Sequence, residues 1–483
     1  MAILYFIFPI SFSLRFFLFA NFISLCFFFS FAILQERNLA ERILLHHSHT
    51  IEVSSLLPSH SCKPSTVKAV EKKTSLRVVH KHGPCSQLNQ GKAPNHTEIL
   101  LQDESRVNFI QSRLSSSRDV KETDAAATLP VKDGKSIGTG NYVVTVGLGT
   151  PRKDLSLIFD TGSDLNWTQC EPCVRSCYDQ IEPIFDPSRS TSYTNISCGS
   201  SLCDSLASAT GNSLRCASST CVYGIQYGDS SFSIGFFGKE KLTLSPTDVF
   251  DNFYFGCGQN NQGLFRGSAG LLGLGRDPLS LVSQTAEKYN KLFSYCLPSS
   301  TSSTGFLTFG GSTSKSAKFT PLASFPTSSS FYALDFIDIK VGGRSLSISQ
   351  SVFSTAGAII DSGTVITRLP PAAYSALRST FRQLMNKYPR APALSILDTC
   401  YDFSNYNTIT VPKIALFFNG GVSVDVDVRG ILYANGASQV CLAFAGNSDA
   451  TDVLIYGNSQ QKTLEVVYDA AAGKIGFAPA SCS

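Results

Sequence analysis

Past residue 141 the chain runs in short apolar bursts separated by Gly, Pro, Ser and Asn, as in NYVVTVGLGTP, EKLTLSP, GFLTFGG and YALDFIDIKVGGRSLSI. Bursts of this length, rich in β-branched and aromatic residues and bounded by turn formers, predict strands. The fold class read from the pattern is mainly β. Helical text is scarce and sits in DPLSLVSQTAEKY and PPAAYSALRSTFRQLMNKY. The second is opened by Pro370 and Pro371, whose fixed φ suits a first helical turn. The Ser/Thr-rich stretches 299–304 and 312–318 predict turns.

The first 130 residues read differently. Arg15 precedes an uncharged Phe-rich run over 16–34, and Ser30-Phe31-Ala32 offers a small-x-small site for cleavage after Ala32. Residues 1–34 are therefore assigned to a signal peptide; the run is also long enough to be retained as an anchor. Residues 35–130 are polar, with one helical stretch, TEILLQDESRVNFIQSRL, in which Ile99, Leu100, Val107, Ile110 and Leu114 share a face. DAAATLP and KDGKSIGTG then read as an accessible linker.

Charge sharpens this division. The chain holds 40 Lys and Arg against 36 Asp and Glu. Residues 1–125 hold 14 against 10, which leaves 26 of each for the rest, so the whole net charge of +4 lies in the first quarter. All seven His lie there too, from His46 to His96. Ser-His-Asp, Cys-His and His-based zinc chemistry are thereby excluded from the body. A neutral body also argues against a general nucleic-acid surface. Of 15 Cys, Cys26 falls in the signal and Cys62 and Cys85 in the segment after it. The other twelve are Cys170, Cys173, Cys177, Cys198, Cys203, Cys216, Cys221, Cys257, Cys296, Cys400, Cys441 and Cys482. An even number in an exported chain reads as six disulfides, with connectivity left open. CEPCVRSC has no His near it, and no metal is expected. Of the sequons at Asn95, Asn166 and Asn195, Asn195 is the expected glycosylation site, whereas Asn166 sits beside Trp167 and is expected to stay unmodified.

One pattern occurs twice. LSLIFDTGSDLNW and AGAIIDSGTVITRLP both place two bulky apolar residues before Asp, a small hydroxyl residue and Gly. Each is followed much later by two apolar residues and a Gly, at Leu271-Leu272-Gly273 and Ile455-Tyr456-Gly457. Either copy alone is ordinary turn chemistry. Together they predict two duplicated β lobes, each bringing one Asp to a shared cleft. Thr161, Gly162 and Ser163 flank Asp160, and Ser362, Gly363 and Thr364 flank Asp361. Two neighbouring carboxylates cannot both ionise freely, so one becomes the base and the other the acid at the same pH. A water held between them can attack a carbonyl carbon while the protonated Asp donates to the carbonyl oxygen. No cofactor is needed.

On these motifs and the twelve Cys the chain, from about Asn141 to Cys482, resembles a pepsin-like aspartic protease of the plant nepenthesin-type branch. LRVVHKHGPCSQL, ILLQDESRVNFIQSRL and GNYVVTVGLGTP are similar to the chloroplast nucleoid DNA-binding protease group. The resemblance implies a bilobal fold with a central cleft, an N-terminal lobe over 131–320 and a C-terminal lobe over 321–483. Asp160 and Asp361 match the family's catalytic pair; Ser163 and Thr364 match hydroxyls that bond the outer carboxylate oxygens. Tyr227 and Gly228 in YGIQYGDSSFSIG match the flap over the substrate, and Trp167 matches the residue anchoring that Tyr. Residues 170–221 resemble the branch's Cys-rich insertion, and Cys400 with Cys441 its C-terminal disulfide. Ser230 stands where the flap usually has a second Gly, which bears on flap mobility and specificity. The implied partners are protein or peptide substrates and pepstatin-like inhibitors, met by a monomer.

The reading is therefore an aspartic endopeptidase made as a secreted zymogen, reaching the apoplast and most active in acid. The vacuole and the chloroplast are alternative destinations. The alternatives in function are a DNA-binding plastid protease and an inactive inhibitor-like binding protein of the same fold. In the zymogen, Lys68, Lys72, Lys73, Arg77 or Lys81 of the 35–130 propeptide is expected to pair with cleft carboxylates. Acid, after the His have charged near 6.5, would then release it, with cleavage at 125–140.

Overall fold

The computed structural model describes residues 47–65, 74–89, 94–116, 142–213, 215–227, 231–263, 265, 267–324, 330–479 and 482. The signal, the linker, Lys68, Lys72, Lys73, Gly228 and Ser230 lie outside them. The alternating apolar pattern does form strands. Fifteen of them make one long twisted sheet, and sheets of five, four and four strands build most of the second half. The two halves form the two lobes of a mainly β, pepsin-like architecture.

The duplicated motif has the same local topology in both halves. In the first, Lys153–Asp160 runs parallel to Gly270–Gly273, with Gly273 opposite Asp160, and Trp167–Gln169 pairs antiparallel on the far side. In the second, Ala358–Ile360 runs parallel to Leu454–Tyr456, and Thr367–Leu369 pairs antiparallel beyond it. Apart from the exposed Lys153 and Asp154, all four parallel strands are buried, which is why they read as continuous apolar text and not as alternation. Each Asp thus leaves the C-terminal end of a central strand, in the loop between a parallel pair.

The helix Pro371–Leu384 forms as its pattern predicts, with Pro371 in the first turn and Ala373, Leu377 and Phe381 fully buried. The stretch 277–289 is a correction. It breaks into Leu281–Gln284 and Ala286–Tyr289 at Thr285, whose backbone leaves the helical region while its hydroxyl donates to Leu281 O at 2.8 Å.

Residues before the linker are integral to the fold. Thr74–His80 sits inside the long sheet, paired with Thr304–Phe309 over six residues and with Tyr142–Leu148 at its end. Ser48–Glu52 pairs antiparallel with Thr408–Pro412 of the second half in a separate two-stranded sheet. His96–Ser116 is a single helix laid against the second half. Its Ile99 and Leu100 pack on Val365, Ile366 and Leu397, and its Val107, Ile110 and Leu114 on Phe331, Ile359 and Ile455. All twelve cysteines of the body are paired, as Cys170–Cys257, Cys173–Cys177, Cys198–Cys216, Cys203–Cys221, Cys296–Cys482 and Cys400–Cys441. Cys62–Cys85 adds a seventh bridge before the linker.

Candidate active site

Asp160 and Asp361 meet at the junction of the two lobes, 1% and 0% exposed. Their loops hold each other. Thr161 N–H donates to Ser362 Oγ at 3.1 Å, and Ser362 N–H donates to Thr161 Oγ1 at 2.9 Å. Gly162 N–H donates to Asp160 Oδ1 at 3.0 Å, and Gly363 N–H to Asp361 Oδ1 at 3.1 Å. Glycine is required at both positions by space: a Cβ on Gly162 would lie 2.7 Å from Asp361 Oδ1, and one on Gly363 2.5 Å from Asp160 Oδ1. Thr364 Oγ1 donates to Asp361 Oδ2 at 2.6 Å, where the resemblance puts it. Ser163 is its counterpart in the first loop: its buried hydroxyl bonds the Asp160 carboxylate and helps to lower it.

The groups expected over the cleft fall in place only in part. Trp167 is buried, and its Nε1–H donates to Tyr227 Oη at 2.8 Å. Phe265 packs edge-on against both rings. Tyr227 thus opens the turn that joins the hairpin strands Thr220–Gln226 and Phe232–Ser245. Asn166 is buried, its amide donating to Leu279 O and its carbonyl accepting from Gly273 N, so its sequon is inaccessible. Asn195 is exposed on the short strand Thr194–Asn195.

The expected cationic latch is corrected. Arg77 lies on Thr74–His80 at an outward position, because Leu76 and Val78 take the buried face. Lys81 is buried among histidines. The guanidinium that reaches the carboxylates belongs to Arg106, on the helix His96–Ser116. Its Nη2 lies 2.7 Å from Asp160 Oδ1 and 3.0 Å from Asp361 Oδ1, and its Nε lies 3.0 Å from Asp361 Oδ2. One turn earlier, Asp103 carries a second contact. Its carboxylate accepts from Val365 N at 2.5 Å, Ile366 N at 3.0 Å and Arg368 Nη1 at 2.9 Å, while Glu104 accepts from Arg368 Nη2 at 3.0 Å. Asp103 and Arg106 had a sequence signal. Asp103 falls on the apolar face defined by Ile99, Leu100 and Val107, where an unpaired charge would be costly, and Arg106 borders it.

The electrostatics follow from this burial. Burial raises the Asp160 carboxyl, but Arg106 and the Gly162 amide outweigh it and hold it below the usual carboxylate range. Burial and the neighbouring Asp160 charge keep Asp361 raised despite Arg106, Thr364 and Gly363. Burial would lower Arg106, yet the two carboxylates raise it. The histidines are a second correction. Burial holds His80 well below its ordinary value, pushes His82 down to about 3 and lowers His96 and His49. In this fold they take up a proton only at lower pH than the 6.5 expected of them. His80, His82 and His96 line a cavity of about 420 Å³ with His60, Lys462 and Arg429, and no carboxylate among the described residues lines it. His96 Nδ1 lies 2.8 Å from Tyr433 Oη, and the His80 ring meets Tyr142 edge-on.

Two family models match the chain, Xylanase inhibitor N-terminal over residues 142–311 and Xylanase inhibitor C-terminal over 331–479. An aspartyl protease family protein of Arabidopsis thaliana is 61% identical over 443 residues, covering 90% of this chain and 93% of that one. Aspartyl protease AED1 of the same plant is 54% identical, covering 90% and 92%. Aspartic proteinase nepenthesin-2 of Nepenthes gracilis is 36% identical, covering 82% and 89%. Among solved structures, Basic 7S globulin from soybean overlays with a TM-score of 0.55 at 21% identity, covering 71% of this chain and 92% of that one, a likeness of fold alone.

Proposed function

This chain belongs to the pepsin-like aspartyl protease family, and from that premise we propose that it is a secreted zymogen whose Asp160 and Asp361 hydrolyse peptide bonds once Arg106 is withdrawn. It is an aspartic-type endopeptidase, and its substrates are proteins or peptides. The observation that carries the assignment is the single guanidinium bonded to both buried carboxylates. It occupies the space between the two carboxylates that a hydrolytic water needs.

With Arg106 gone, the two neighbouring carboxyls share one negative charge, one serving as the base and the other as the acid. The pair titrates as a unit. A water between them gives a proton to the ionised carboxylate as it attacks the peptide carbonyl, and the protonated carboxyl donates to the carbonyl oxygen. Tyr227, held by Trp167, closes over the substrate. Intact Asp160 and Asp361 in reciprocally bonded loops favour an enzyme over an inhibitor-like binding protein.

Residues 35–130 act as the inhibitory segment. Acid releases them through the histidines buried against the body, and cleavage then falls at 125–140. The uncharged run at 16–34 directs the chain to the secretory pathway and the apoplast.

The test is turnover of a peptide mixture by the acidified full chain, with and without pepstatin, for the parent, Asp160→Asn and Asp361→Asn. Each substitution removes the base or the acid, and a loss of at least about 10²–10⁴-fold is expected with the fold intact by circular dichroism. Near-native turnover in either variant refutes the assignment of the pair.

A further inference from the structure

The contact made by Asp103 points beyond inhibition. Arg368 is 1% exposed, yet its only carboxylate partners among the described residues are Asp103 and Glu104, both on the helix His96–Ser116. Nothing described in the body neutralises it. Its remaining hydrogen bond, from Nη1 to Ile366 O at 2.8 Å, fixes the direction of the guanidinium. Beside it, the N–H groups of Val365 and Ile366 both point at the same carboxylate. Three convergent donor groups, one of them a buried guanidinium, make a preformed carboxylate cradle.

The cradle adjoins the reacting centre. Val365 follows Asp361 by four residues in the same loop, and Thr364 between them bonds the Asp361 carboxylate. Asp103 and Arg106 are one helical turn apart, about 4.5 Å of rise. An extended peptide covers that distance in one or two residues. The neighbouring space filled by Ile99 and Leu100 is apolar, lined by Val365, Ile366, Leu394 and Leu397.

Given that the helix leaves, as the proposed function holds, Arg368 would lose both its carboxylate partners among the described residues while Ile366 O still fixes its direction. We propose that Arg368, with the Val365 and Ile366 amides, is a specificity-determining subsite that binds an acidic side chain of the substrate close to the scissile bond. The propeptide holds the site with Asp103 in the precursor, and a substrate Asp or Glu flanked by aliphatic residues takes it in the mature enzyme. Protonation of the substrate carboxyl removes the charge the site recognises, so the preference fades below about pH 4.

The experiment compares paired peptides cleaved by the mature enzyme at pH 5. They carry Glu or Gln at each of four positions on either side of the scissile bond, with blocked termini. At one position kcat/KM is expected to favour Glu by about 10- to 100-fold, in line with a charged hydrogen-bonded pair. In Arg368→Met the Glu to Gln ratio at that position should fall to near one, and in Arg368→Lys to an intermediate value. The ratio is taken on one enzyme preparation, so a reduced folded fraction cancels, and Arg368→Lys serves if Arg368→Met does not fold. A ratio near one at every position in the parent, or a full preference retained in the variants, overturns the subsite. So does a preference that appears only when peptides end in a free C-terminal carboxylate. Failure to cleave any peptide would instead count against the proposed function.

Discussion

Replacing His82 by Gln isolates the acid trigger. Free His titrates near 6.5, whereas His82 against the body is pushed down to about 3. The sign is that of a base depressed by docking: its contribution to docking is intact above 6.5, declines as pH falls, and stops changing below about 3. At pH 5 a released His82 is almost fully protonated and a docked one is neutral. The linkage weakens docking by about 2 kcal/mol, or about 30-fold in the ratio of released to docked segment. Lys81, Lys462 and His96 face this cluster, Lys462 itself pushed down to about 8 by burial, and no carboxylate among the described residues lines the cavity to offset the new charge. The carboxylates do not supply the trigger as a group. Asp160 is lowered and Arg106 acts to lower Asp361 as well, so both weaken docking as pH falls, but Asp103 is raised by burial and moves docking the other way. Hydrogen–deuterium exchange of the 96–116 peptides, corrected for intrinsic rates, reads the released fraction. His82→Gln should match the parent at pH 7.5 and show about 30-fold less opening at pH 5. Equal opening of the two proteins at pH 5 would refute the histidine trigger.

Arg106→Gln leaves two buried carboxylates without their cation, a loss of about 3–5 kcal/mol for a broken buried pair, so precursor conversion on a gel should begin at higher pH and run faster than in the parent; an unchanged pH profile would place the inhibition elsewhere. Trp167→Phe removes the donor to Tyr227 Oη while keeping most of the packing on Phe265, and kcat/KM on peptides should fall about 5- to 10-fold, the worth of one hydrogen bond; unaltered kinetics would detach Trp167 from the flap.

Most of the site was legible because its chemistry is local. Asp160 with Thr161 and Gly162, and Asp361 with Ser362 and Gly363, stand on buried strands of three to eight residues, and burial on both faces makes such strands visible as apolar runs. The later Leu271-Leu272-Gly273 and Ile455-Tyr456-Gly457 runs were readable as partners because the duplication repeats them. The confinement of every His to the first quarter was equally plain, and it already set the body's chemistry apart from His-based catalysis.

What the sequence by itself determined about this protein is the mainly β class, the pair of Asp loops and the division of charge and His between leader and body. Only the tertiary structure decided which cation meets the carboxylates and which histidines are buried. The reason is sequence distance. Arg106 lies 54 residues from Asp160 and 255 from Asp361, so its place beside an apolar helix face does not say which carboxylates it meets. Asp103 meets Arg368 across 265 residues, and its buried place on a helix face is seen only once that face has a partner. A charge run read along the chain gives no direction in space; the docked helix does, because burial leaves each of its charged groups one set of partners.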